Sequence, residues 1–219
     1  MTINYAQARE NMVEQQIRPW DVLEPRVLDA LATLPREAFV PPAHRAVAYA
    51  DLELPLGHGQ RMMKPVVEGR VLQALDVQPG EDVLEIGTGS GFLTACLATL
   101  GREVVSLELH PELAAFAQAN LQATGLGSNV RIETADALAW TSDRKFDAVC
   151  ITAAVDTLPP RFMDFVRPGG RLFVVRGRSP AMEAVLVHQQ DGGSRIESLF
   201  ETDALGYLVG AAPVPAFVF

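Results

Sequence analysis

The chain has 219 residues, 48% of them hydrophobic and 21% charged, enough for one α/β domain with a full core and unlike a disordered segment. Its formal net charge of −9 argues against a general phosphate-binding footprint, so no nucleic-acid partner is expected. No apolar stretch approaches the roughly 18 residues of a bilayer span, and Met1 to Tyr5 carry no charged-then-apolar leader, so a cytoplasmic protein with no membrane partner is expected.

In chain order, residues 5–33 read as helical: Ala6, Met12, Val13 and Ile17 fall at near-helical spacing, and Pro25 opens a second segment with Val27, Leu28 and Leu31. Trp20, after Arg18-Pro19, reads as an aromatic packed at a helix end in preference to a cover over a ligand mouth. From Pro35 to Pro65 the prolines and glycines at 41, 42, 55, 57 and 59 predict a long structured loop. Strands and helices then alternate. Helices are predicted over 66–77, 91–100 and 111–124, and strands over 82–86, 103–107, 130–133 and 146–151. A short helix over 160–166 and a Gly169-Gly170 turn lead into a strand over 171–175. Apolar alternation over 183–189 and 195–200 reads as two antiparallel strands. This order predicts an α/β fold: a Rossmann-like, doubly wound, mostly parallel sheet with an antiparallel edge and an N-terminal helical and loop extension. Residues 1–65 form that extension and 66–219 the ligand-binding domain, the two making one compact unit.

Cys96 and Cys150 sit inside apolar runs and read as buried core thiols. His44, His58, His110 and His188 are scattered without ligand spacing, so no metal site is expected. Asp147, at the start of the fourth strand, reads as structural.

The stretch that carries chemistry is Val83-Leu84-Glu85-Ile86-Gly87-Thr88-Gly89-Ser90-Gly91, a buried strand running into alternate glycines at the mouth of a helix. Such a turn lets a ligand approach the backbone, and the helix start offers it free N–H groups. A dinucleotide loop would place its third glycine at position 92, which is Phe92, so a nicotinamide oxidoreductase is disfavoured. The E-x-G-x-G-x-G pattern resembles motif I of class I S-adenosylmethionine methyltransferases, whose cationic cofactor suits a nearby acid such as Glu85. Glu108 ends the next strand, where folds of this kind hold a ribose-binding acid, and Asp136-Ala137 follows the third. Asp136 reads equally as the cap of a short helix over 138–140.

Further strings are similar to protein-L-isoaspartate (D-aspartate) O-methyltransferases over about residues 12–210. They include Met12 to Gln16, Val27 to Ala30, Pro35 to Pro41, Ala48 to Asp51, Leu54 to Gln60 and Ile151 to Ala154. The resemblance implies that S-adenosylmethionine binds through Glu85, Gly87, Thr88, Gly89, Ser90, Gly91, Glu108, Leu109, Asp136, Ala137 and Thr152, leaving as S-adenosylhomocysteine. It implies an acceptor side formed by His58, Gln60, Arg61, Met62, Met63 and Lys64, and an isoaspartyl protein or peptide as partner. At Arg61-Met62-Met63-Lys64-Pro65 the family usually reads Thr-Ile-Ser, one residue, then Pro, so Met63 occupies the position of its serine. Gly206 to Gly210 departs from the family's Val-Pro-Leu as well. Both departures fall on the acceptor side. Three readings follow: an isoaspartyl carboxyl methyltransferase in which Arg61 or Lys64 replaces the serine donor, a methyltransferase of the same fold with another, small-molecule acceptor, or a cofactor-binding protein without turnover.

Overall fold

The computed structural model describes residues 3–202 and 205–214; Met1, Thr2, residues 203–204 and residues 215–219 lie outside it. The chain opens with α1 (Tyr5–Met12), capped by the Asn4 side chain, which accepts from the Gln7 N–H. The helix runs on as a wider turn over Val13–Ile17 and a tighter one over Arg18–Trp20, ended by Asp21 in the left-handed region. Trp20 is not packed as expected. It is 54% exposed, because the chain reverses immediately after it. Helix α2 (Pro25–Thr33) begins on a proline and buries Val27, Leu28 and Leu31.

The expected loop over 35–65 contains regular structure. Tight turns at Arg36–Ala38 and Pro42–Val47 lead to a two-stranded antiparallel hairpin, β1 (Leu54–Gly57) and β2 (Gln60–Met62). The pairing of two buried side chains, Leu54 and Met62, holds it, a contact hidden in the sequence by the proline and glycines between them.

Helix α3 (Pro65–Leu75) leads into β3 (Asp82–Ile86), α4 (Phe92–Leu100), β4 (Glu103–Glu108), α5 (Pro111–Ala123) and β5 (Val130–Thr134). The remaining strands are β6 (Phe146–Val155), β7 (Val166–Arg178), β8 (Ala181–Gln190) and β9 (Gly193–Thr202). Strand order is β5-β4-β3-β6-β7-β8-β9, parallel from β5 to β7 and antiparallel at β8 and β9. The expected mostly parallel sheet with an antiparallel edge is therefore the one observed. Gly169-Gly170 does not end a turn. It lies inside β7, where Phe146 and Ala148 of β6 face Val166 and Arg171, so the extra residues bulge out of the pair. The expected short helix over 160–166 is present as a 3-10 helix, Pro160–Phe165.

Both sheet faces are apolar, as central parallel strands require. Val83 joins a core with α2, α3, α4 and Leu121 of α5. Leu84 and Ile86 face the other way, into a core closed by Phe162, Phe165 and Trp140 rather than by long helices. Cys96 and Cys150 are both fully buried and unbridged. Among the described residues no helix is long and apolar enough to cross a membrane.

Candidate active site

The loop after β3 is built by its glycines and by β4. The Gly87 and Thr88 N–H groups both donate to the Leu107 carbonyl, and the Gly91 N–H donates to the Thr88 carbonyl. Gly87 has φ +97, and a Cβ there would stand 2.2 Å from the Thr152 hydroxyl, which donates to the Ile86 and Gly87 carbonyls. Only glycine fits this turn. Gly91, at φ +85, serves packing as well: a Cβ on it would meet Ala117 of α5 at 3.1 Å.

Above the loop lies a cavity of 340 Å³ at the carboxyl ends of β3, β4 and β6. Open parallel sheets hold their ligands at this end, and the volume lies within the range of small-molecule sites. Gly87, Thr88, Gly89, Ser90, Glu108, Leu109, Asp136, Ala137 and Thr152 all line it. The Glu108 carboxylate accepts from the Gly89 N–H at 2.8 Å and the His110 N–H at 3.0 Å. It thus braces the loop and borders the cavity at once. Asp136 both caps a local turn and borders the cavity. Its carboxylate accepts from the Leu138 N–H at 2.8 Å, capping a turn rather than a helix, while the residue lines the cavity.

Glu85 is the clearest correction. It does not line the cavity and has no solvent exposure. Strand alternation puts its side chain on the face of Val83, inside the core. There one carboxylate oxygen accepts from Thr94 at 2.5 Å and Ser106 at 2.6 Å, while the other has no partner among the described residues. Burial pushes its pKa up to about 8, against the pull of the two hydroxyls. Its link to the cavity is indirect: the Ser106 hydroxyl also shares a 2.6 Å hydrogen bond with Thr88. Gly91 likewise stands outside the lining.

The opposite wall comes from the N-terminal extension. Gln60, Arg61, Met62 and Met63 line it, with both methionines buried. Arg61 is 60% exposed at the rim, 4.0 Å from Glu53. Lys64 and His58 are not brought into the lining. Lys64 precedes α3 as its capping residue. His58 sits in the hairpin turn, where its ring stacks on His110 at 4.5 Å and its Nε2 lies 3.6 Å from Glu112.

Glu53, Glu68, His110 and Leu205 escape sequence reasoning and line the cavity, as do Gly206, Leu208 and Val209 of the departing 206–210 segment. The last group returns to the site because the Ala154 N–H donates to the Gly206 carbonyl and the Leu208 N–H to the Ala154 carbonyl. Glu68 had a readable signal: it shares a face of α3 with Leu72 and Leu75, so helical periodicity buries it. Burial raises its pKa to about 7, against the pull of Arg36, its ion-pair partner. Among the described residues no cluster of side chains is arranged to hold a metal.

The family model described as protein-L-isoaspartate(D-aspartate) O-methyltransferase matches residues 7–203, running through both walls of this cavity. The chain belongs to that family. A protein-L-isoaspartate O-methyltransferase of Aeropyrum pernix is 38% identical over 205 residues, covering 92% of this chain and 78% of its own length. One from Gloeobacter violaceus is 38% identical over 187 residues, covering 85% and 91%. Among solved structures, a Plasmodium falciparum protein described as a protein-L-isoaspartate O-methyltransferase in complex with S-adenosyl-L-homocysteine superposes with TM-score 0.79. It covers 94% of this chain and 99% of its own, and at 19% identity it shows that the fold is shared.

Proposed function

We propose that the acceptor of this S-adenosylmethionine-dependent O-methyltransferase is the carboxylate of an isoaspartyl residue in a protein or peptide. The observation that carries the reading is a single cavity bordered by the glycine loop on one side and by the Gln60–Met63 segment on the other, within a chain matched by the family over residues 7–203.

The donor side fits an adenosyl group. The glycine loop holds its turn only without a Cβ at position 87, which would collide with the Thr152 hydroxyl, and Glu108 keeps acceptor capacity beyond its two backbone donors for ribose hydroxyls. Asp136 and Ala137 border the adenine on this reading, and Thr88, Gly89 and Ser90 the remainder. When bound, S-adenosylmethionine supplies an electrophilic methyl group on a positively charged sulfur.

On the acceptor side the nucleophile is a carboxylate, already ionised at neutral pH, so this chain needs no strong base. Its task is alignment with the methyl and exclusion of water. Neither the Met62 nor the Met63 side chain can donate a hydrogen bond, so on this wall the side-chain donors are Gln60 and, at the rim, Arg61. Lys64 stands outside the lining. The acceptor is thus drawn by charge at the entrance and seated against apolar thioethers inside.

A second reading has its own support. Glu53 lines the same cavity beside Arg61, and a fully anionic acceptor would meet its carboxylate as well. A less charged, small-molecule acceptor would suit that environment. Incubation with labelled S-adenosylmethionine and an isoaspartyl peptide, beside its aspartyl twin, separates the two. Base-labile methyl ester on the isoaspartyl peptide alone is the expected result. No ester above background, from protein that binds the cofactor in calorimetry, would overturn the isoaspartyl acceptor.

A further inference from the structure

Arg36 is fully buried, and its guanidinium is used on every side. Its Nε donates to the Ala48 carbonyl at 2.8 Å, its Nη2 to the Met63 carbonyl at 2.8 Å, and its Nη1 to the Glu68 carboxylate. Its Cζ lies 4.9 Å from the centre of the Phe92 ring. These partners come from four places. Ala48 precedes the hairpin and Met63 follows it, Glu68 is in α3, and Phe92 is the first residue of α4, directly after Gly91. One side chain therefore joins both ends of the acceptor hairpin to the helix that follows the glycine loop.

Stability alone is a poor explanation for such a group. A buried ion pair costs so much desolvation that well-packed apolar residues of similar volume often serve as well or better. What a planar fork provides is fixed direction, with several donors aimed at once. Direction is what this site needs, since the side chain at position 63 cannot orient an acceptor by hydrogen bonding.

We propose that Arg36, neutralised by Glu68, is a positioning residue that locks the Gln60–Met63 segment to the start of α4 and so holds the acceptor in line with the methyl group. The inference rests on the reading of that segment as the acceptor side. It predicts that loosening the lock spares cofactor affinity while harming transfer.

Two variants test it: Arg36→Lys, which keeps the charge but not the fork, and the double change Arg36→Met with Glu68→Leu, which replaces the pair with apolar volume. Backbone amide exchange over residues 60–64 should quicken about tenfold in both. The S-adenosylmethionine Kd should stay within about threefold, while kcat/KM for an isoaspartyl peptide falls about 10–100-fold, chiefly in kcat. Native-like exchange in the double variant, or undiminished kcat/KM, would overturn the proposal. So would a loss of cofactor affinity as large as the loss of transfer, since that marks a general structural role. If one variant does not fold, the other is judged on the same three readouts. If the native protein makes no ester on the peptide, the acceptor reading falls separately, and the exchange comparison decides the lock.

Discussion

Asp82 and Glu85 are buried acids three residues apart on β3, and they live in opposite company. At the amino end of the sheet, Asp82 takes both Nε and Nη2 of Arg102, at 2.8 and 2.6 Å, and contacts Arg144 and Arg167 at 3.0 Å each. Arg167 also pairs with Asp147, which accepts from the Asp82 N–H, so Asp147 is structural as expected. Burial works against the Asp82 charge, but the hydrogen bonds from Arg102, Arg144 and Arg167 outweigh it and pull the pKa down to about 2. Toward the carboxyl end, Glu85 has two hydroxyls and, among the described residues, no cation beside it, and burial wins. The same side-chain chemistry, out of solvent contact in both, is an ionised anchor at one end and a proton holder at the other. Partners as well as depth decide which. The end tied by arginines builds the sheet. The end lacking them borders the ligand cavity.

The largest expected effect tests the anchor. Asp82→Asn leaves three arginines facing an amide and should cost about 3 kcal/mol in denaturant unfolding. The S-adenosylmethionine Kd should stay within about twofold, because the cavity lies at the other end of the strands; a large loss of affinity would break the comparison. Gly87→Ala should do the reverse. Its Cβ collides with the Thr152 hydroxyl at positive φ, so the loop must move, and calorimetry should show affinity about 100-fold weaker, roughly 2.7 kcal/mol. Glu108→Gln keeps the shape but turns one carboxylate oxygen into a donor facing N–H groups, and should weaken cofactor binding about tenfold.

The smallest effect is a change of slope with pH. The folded chain holds a proton on Glu85 that the unfolded chain releases between the ordinary value of 4.5 and about 8, so this residue makes stability fall as pH rises through that window. Asp82 acts oppositely. Its contribution is present above its ordinary value of 3.8 and is lost as pH falls toward about 2. Glu85→Gln should therefore flatten the decline in unfolding free energy between pH 5 and 8, while leaving stability at pH 5 within about 1 kcal/mol. An unchanged slope would show that Glu85 is ionised in the folded state.

Elements with a strong local signal were legible. β3 spans the residues expected, 82–86, because an apolar run bounded by Pro79-Gly80 and Gly87 admits few alternatives. The glycine loop and the carboxylate of Glu108 reach the cavity for the same reason: motif spacing and strand ends are local quantities. The β1–β2 hairpin was hidden by its own turn residues. Glu85 was assigned to the ligand because the motif named it, whereas strand alternation already turns it toward the face of Val83.

The amino-acid sequence by itself determined the parallel sheet, the nucleotide-type loop and the family, since each depends on residues adjacent in the chain or repeated at fixed spacing. Tertiary structure decided which acids are charged and which residues line the cavity. Asp82 draws its arginines from positions 102, 144 and 167, and the cavity gathers Glu53, Glu68, Leu205, Gly206, Leu208 and Val209. Protonation and shape are set by neighbours in space, and those neighbours come from segments distant in the chain.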